Sequence, residues 1–250
     1  MHARFYAPDL APGAEFVRLP AEEAEHLTRV LRLRAGAEVR VFSGRGYECA
    51  GRVEAIDRRA VTVRVGRAVS PAPEPSVPIV LAQAVPKGDA MDAIVRDSVM
   101  LGVAAIVPIV SARTEARLEG PRSAGRVSRW RRIAIASAKQ CLRAVVPDVH
   151  DMTPFASCLT EPRVEQRFLL AEPTLRGTPR VSVRALSRRP APASALLAVG
   201  PEGGWTDEEA EVAAAAGCIA ITLGRRTLRA DAAALVAIAA LQCVWGDLDS

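Results

Sequence analysis

The amino-acid sequence predicts a small β-barrel-like domain over residues 1–70, joined to an α/β domain with a parallel sheet over residues 79–250. Three observations predict this. The stretches "AEVRVFSGRGYECAGRVEAI" (37–56) and "AVTVRVGRAV" (60–69) place valines near alternate positions around a glycine-bearing turn, the pattern of hairpin strands with one buried face. From residue 77 onward, short apolar runs alternate with helical periodicity, which implies a parallel sheet covered on both faces. Between the two patterns, "SPAPEPSVP" (70–78) carries four prolines. Prolines at that density fit neither a helix nor a central strand, so residues 71–78 read as a stiff linker.

The elements of the second domain follow in order. "VPIVLAQAV" (77–85) suits a buried strand, and "DAMDAIVRDSVMLG" (89–102) is an amphipathic helix closed by Gly102. Next come "VAAIVPIV" (103–110) as strand, "SRWRRIAIASAKQCLRA" (128–144) as a long helix, and "RFLLAEP" (167–173) as strand. "ALLAVG" (195–200), "TDEEAEVAAAAG" (206–217), "CIAITLG" (218–224) and "ADAAALVAIAALQCVWG" (230–246) continue as strand, helix, strand and helix. The last helix is apolar nearly all round and requires burial in the fold or at a subunit interface.

Composition narrows the function. Half of the 250 residues are apolar, enough for a real core. The longest apolar run, 232–241, is too short to cross a bilayer, and the start has no signal-peptide core, so a cytoplasmic protein is expected. Five cysteines without a CxxC pair and three scattered histidines (2, 26 and 150) argue against a disulfide framework and against metal chemistry. A net charge of +5 and a pI near 9.3 fit a polyanionic partner. Locally, residues 113–143 hold nine basic side chains against Glu115 and Glu119, which marks an RNA-facing surface or a solvated helix face.

"LLAVGPEGGWTDEE" (196–209) carries the chemistry. Thr206 and Glu209 form a capping-box pair, so a helix begins there and Gly217 ends it. The loop of residues 200–204 then lies between the carboxyl end of a strand and a helix start, where open α/β sheets bind ligands. Glu202 would repel a phosphate, and the lysine and hydroxyl of a P-loop are absent. A ligand with positive charge fits better, with a plain tight turn as the alternative. "CIAITLGRRTLRADAAAL" (218–235) repeats the strand–loop–helix logic one unit later, so two glycine-bearing loops could face each other across one crevice.

These residues resemble a known family. "LLAVGPEGGWTDEE" followed by "LGRRTLRADAAAL" is similar to the C-terminal signature of the RsmE family, small-subunit ribosomal RNA uridine N3-methyltransferases of the SPOUT superfamily. "RFY" (4–6), "HLTRVLRLRAGAEVRVFSGRG" (26–46), "KGDAMDAIVRDSVMLGV" (87–103), "ARTE" (112–115) and "RWRRIAIASAKQCLRAVVPDV" (129–149) follow the family's order. The resemblance implies a PUA-like RNA-binding β-barrel and a SPOUT α/β-knot domain with a deep trefoil knot. It implies a homodimer acting on 16S rRNA or the small ribosomal subunit, with S-adenosyl-L-methionine as cofactor and no metal.

By the same resemblance, three knot loops hold the cofactor. They comprise Ala171, Glu172 and Pro173; Val199, Gly200, Pro201, Glu202, Gly203 and Gly204; and Leu223, Gly224, Thr227, Leu228 and Arg229. S-adenosylmethionine bears a sulfonium and an ammonium but no phosphate, which accommodates Glu202. Arg229 and Arg143 are the expected catalytic residues, placed to stabilise charge on the uracil oxygens, with phosphate binding the alternative for each. Asp231, Glu202 or water could take the N3 proton. Arg4, Arg32, Arg34, Lys87, Arg113 and Arg129 are the expected RNA contacts. His26 reads as structural, and Phe5 and Tyr6 as core residues rather than base-stacking ones.

Three positions depart from the family pattern: Val99-Met100, Ala136 and Asp231-Ala232. Another SPOUT methyltransferase, acting on a different base or a ribose 2′-hydroxyl, remains the nearest alternative, followed by a silent RNA-binding assembly factor.

Overall fold

The computed structural model describes residues 2–57, 60–118, 120–160, 163–175 and 177–248; Glu119, one of the two acids of the basic stretch, lies outside them. The chain divides into two compact units, Met1–Glu74 with Ile135–Val146, and Pro75–Ala134 with Pro147–Ser250.

The first unit contains β1 (Ala3–Tyr6), β2 (Phe16–Arg18), α1 (Ala21–Glu25), a π-helical turn (His26–Val30), β3 (Glu38–Phe42), β4 (Glu48–Asp57) and β5 (Ala60–Val69). Its five-stranded sheet has the order β1-β3-β4-β5-β2. The alternation expected for a half-buried sheet appears as Val39 and Val41 on β3 and Val61 and Val63 on β5, all turned into a core with Phe5 and Leu27. Among the described residues no pairing joins β1 to β2, so the sheet is open where barrel-like closure was expected. Short edge strands blunt the exposed backbone instead.

A buried charge network brings Ile135–Val146 into this unit. Arg4 donates to the Glu48 carboxylate at 2.7 and 3.1 Å and to the carbonyls of Ala138, Lys139, Leu142 and Arg143 at 2.8–3.3 Å. Its guanidinium also lies 4.6 Å above the Phe42 ring. Only 5% of the Arg4 side chain is exposed, so the expected RNA contact at Arg4 is corrected: its donors are spent inside the protein. Lys139 reaches Glu23 at 2.7 Å, within the same unit. Phe5 is fully buried with His26 edge-on at 6.2 Å, the structural roles expected of both.

The second unit contains β6 (Ile79–Ala84), α2 (Ala90–Met100), β7 (Ala105–Val110), α3 (Pro121–Gln140) as far as Ala134, β8 (Asp148–Val149), β9 (Thr153–Pro154), α4 (Phe155–Cys158) and β10 (Gln166–Leu170). It continues through β11 (Val181–Ser182), α5 (Val183–Leu186), β12 (Ala195–Val199), α6 (Asp207–Ala215), β13 (Cys218–Thr222) and α7 (Ala230–Trp245). All pairings in its eight-stranded sheet are parallel, in the order β11-β13-β10-β12-β6-β7-β8 with β9 also on β7. Every residue of β12 is buried, as a continuous apolar run in a central parallel strand requires.

Helix α3 starts at Pro121, earlier than its apolar spacing indicated. Proline suits the first helical position, where its missing N–H costs no hydrogen bond. The helix stops at Gln140, and Leu142 then adopts a left-handed φ of 68° that prevents continuation to residue 144.

Candidate functional site

Strands β13, β10 and β12 are parallel neighbours, so the loops after them emerge at one end of the sheet. Those loops enclose a cavity of about 490 Å³. The expected loop residues, from Ala171, Glu172 and Pro173 through the 199–204 segment to Leu223, Gly224, Thr227, Leu228 and Arg229, all line it. The volume falls in the range of small-molecule sites. Sequence reasoning placed Asp231 at this site as a possible proton acceptor but missed Ala90, Leu170, Thr174, Thr222, Arg226, Ala230 and Ala233 as lining residues.

The middle loop is held by contacts from distant segments. Trp205 is buried, its indole N–H donating to the Leu170 carbonyl at 3.0 Å and its ring lying 4.5 Å from that of Phe155. This anchors the loop to the end of β10. Glu172, from the first loop, accepts the Trp205 backbone N–H at 2.9 Å. Gly204 has φ +71°, and a Cβ there would collide with the Glu172 carboxylate. Glycine is therefore favoured by the left-handed backbone, and a Cβ would push the Glu172 carboxylate away from the Trp205 N–H where the two loops meet.

Arg113 clasps the loop from outside, donating through Nη1 to the carbonyls of Gly203 at 2.6 Å and Trp205 at 3.1 Å. The neighbouring Ala112 N–H donates to Glu209 at 2.8 Å. Glu209 also completes the expected capping box, accepting the Thr206 N–H at 3.0 Å while Thr206 Oγ1 accepts the Glu209 N–H at 3.2 Å. Glu202 accepts the Lys87 backbone N–H at 3.0 Å, and the Lys87 ammonium lies 2.7 Å from Glu115. That hydrogen bond to Glu115, with the charge of Glu202 adding to it, holds the Lys87 ammonium above its ordinary range.

Arg229 sits at the mouth, its side chain 84% exposed, and contacts Asp231 through two donors at 3.2 Å each. The Arg229 hydrogen bond is the main cause that lowers the Asp231 carboxyl below its usual range. Arg143 is not among the lining residues. Its side chain is 6% exposed and ion-paired with Glu74 in the first unit, so the expectation of a catalytic Arg143 is corrected to a structural role. Arg32 and Arg34 are exposed, and Arg129 is paired with Asp92.

Burial pushes the Cys218 thiol up to about 11, which makes it a poor nucleophile. Among the described residues no group of side chains could hold a metal ion, and no helix is long and apolar enough to cross a membrane. Of the departures from the family pattern, Val99 is fully buried in α2, where an apolar residue packs well, whereas Met100 and Ala136 are exposed.

Residues 73–242 match a family described as RNA methyltransferase domain, and residues 19–66 match one described as RNA methyltransferase PUA domain. Ribosomal RNA small subunit methyltransferase E of Synechocystis sp. is 33% identical over 91% of this chain and 73% of its own length. The protein of that name from Bacillus subtilis is 28% identical over 89% of this chain and 88% of its own. A solved structure of ribosomal RNA small subunit methyltransferase E from Neisseria gonorrhoeae bound to S-adenosyl methionine is 31% identical, with a TM-score of 0.86 over 99% of this chain and 100% of that one. A Legionella pneumophila methyltransferase in complex with the cofactor SAM is 28% identical, with a TM-score of 0.88 over 99% and 100%.

Proposed function

The chain belongs to the ribosomal RNA small subunit methyltransferase E family, and from that premise we propose that it methylates N3 of a uridine in 16S rRNA, with S-adenosyl-L-methionine as methyl donor. The cavity formed by the three loops carries this reading. Its lining offers glycine backbone, the carboxylates of Glu172, Glu202 and Asp231, and the guanidinium groups of Arg226 and Arg229. Such a mixed set fits a zwitterionic ligand with a sulfonium, an ammonium and a carboxylate. When bound, the cofactor supplies an electrophilic methyl group.

The chain's own residues do the rest. Backbone groups of the 200–204 and 223–228 segments would hold the adenosyl and methionine parts, and Glu202, through the Lys87 N–H, keeps the middle loop in shape. Loss of the N3 proton leaves negative charge on the uracil O2 and O4, which Arg229 at the mouth would stabilise. Asp231, held deprotonated by Arg229, is a weak proton acceptor. We assign it to orienting Arg229 and leave the proton to water.

Arg32 and Arg34 on the first unit would contact RNA phosphates, the unit acting as a PUA-like RNA-binding module built on an open five-stranded sheet. The α/β-knot reading of the second unit is carried over from the family; the parallel order β13-β10-β12 is the arrangement in which it would sit. The exposed Val236 on the largely apolar α7 is the observation in favour of a homodimer; a cytoplasmic location is carried over from the family. In vitro methyl transfer from labelled cofactor to small ribosomal subunits, followed by nucleoside analysis, tests the reading. 3-Methyluridine is expected; a 2′-O-methylnucleoside or another methylated base would replace it, and no transfer would leave an RNA-binding protein.

A further inference from the structure

We infer that one face of α3, presenting Arg122, Arg126 and Arg132, is the track on which the phosphate backbone of the substrate RNA lies, an inference that rests on the RNA reading above. Guanidinium groups only donate hydrogen bonds, so an arginine whose donors are spent within the protein has little left for phosphate. By that measure several expected contacts drop out. Arg113 is committed to two loop carbonyls, Arg129 to Asp92 and Lys87 to Glu115. Arg131 is also engaged, with the Val149 carbonyl and Asp151. Arg122, Arg126 and Arg132 are exposed and carry no ion pair among the described residues.

Helical geometry puts them together. At 3.6 residues per turn, positions 122, 126 and 132 fall within an arc of about 120°, spread over roughly 15 Å of helix. Val127, Trp130 and Ala134, on the adjoining side of the helix, turn into the core. Ser123, Ala124 and Gly125 separate Arg122 from Arg126, and a Cβ built at Gly125 would meet nothing within 4 Å, so a bulky backbone could approach closely there; Arg129, paired with Asp92, lies between Arg126 and Arg132 on the same arc. The face lacks the apolar centre that a protein partner would need, while spaced forks of donors suit phosphate oxygens.

Binding of a labelled single-stranded RNA oligonucleotide, and of purified small subunits, is measured against KCl concentration for the wild type and for the R122A/R126A/R132A variant. Three lost phosphate contacts reduce the slope of log K against log[KCl] by about 2. Calorimetric affinity for S-adenosylmethionine stays at the wild-type value, and R122K/R126K/R132K recovers most of the slope. An unchanged slope overturns the inference, as does a matching loss of cofactor affinity, which would make the arginines structural. Weakened binding to subunits with oligonucleotide binding intact also overturns it, because a ribosomal protein would then cover this face. If the wild type binds no RNA, the methyltransferase reading itself has failed; if it binds and methylates while the variant's slope is unchanged, only this surface has.

Discussion

Substituting Gly204 with alanine perturbs the site at the point where two cavity loops touch. The residue sits at φ +71°, where an L side chain costs about 1–2 kcal/mol. The new Cβ would also displace the Glu172 carboxylate from the Trp205 N–H that it accepts at 2.9 Å, a charged hydrogen bond worth about 1.5 kcal/mol. Together these come to about 3 kcal/mol, or roughly 150-fold in an equilibrium constant. If the loop keeps its shape the cost falls on stability, lowering Tm by roughly 6–12 °C for a unit of this size. If the loop yields, cofactor affinity falls by up to that factor of roughly 150. Differential scanning fluorimetry and calorimetric titration with S-adenosylmethionine read the two routes on one sample. Gly217→Ala is the control, since it shares a left-handed φ of +76° but has open space around it, so it should cost stability alone. A Gly204→Ala protein with Tm within about 2 °C and affinity within about threefold of wild type would refute the reasoning.

Three further outcomes are expected. Arg113→Ala raises KM for the cofactor roughly tenfold, with kcat at saturating cofactor and the salt slope of RNA binding unchanged, and Arg113→Lys recovers part of the loss; a changed salt slope instead would return Arg113 to phosphate binding. Glu48→Ala strands the buried Arg4 guanidinium and costs about 3–5 kcal/mol in urea denaturation, whereas the exposed Arg129→Ala costs about 1 kcal/mol or less; equal costs would contradict the burial argument. Because Arg229 lowers the Asp231 carboxyl, Asp231 keeps its charge to lower pH, and its contribution to cofactor binding is lost only as pH falls through that lowered value. Arg229→Ala should therefore move the acid limb of the calorimetric binding profile upward, toward about pH 4, and an unmoved limb would separate Asp231 from binding.

Sequence alone determined what depends on neighbours along the chain. The capping box of Thr206 and Glu209, the glycine that follows α6, and the strand–loop–helix order around both glycine-bearing loops were legible because each is a matter of local backbone chemistry. So were the proline-rich break and the alternating valines of β3 and β5, whose periodicity is the geometry of the strand itself. Tertiary structure alone decided the strand order that sets β10 between β12 and β13, and with it the convergence of three loops on one cavity. It also decided the work of each arginine. Arg113 meets Gly203 across 90 positions, Arg143 meets Glu74 across 69, and Arg4 reaches the Lys139 carbonyl across 135. Charge is a property of the residue, but where its donors go depends on which distant carbonyl or carboxylate the fold brings within 3 Å. Thus an arginine expected on RNA is spent as a clasp on a cavity loop or as a buried tie, and Arg122, Arg126 and Arg132 of α3 stay exposed because, among the described residues, the fold brings no acceptor to them.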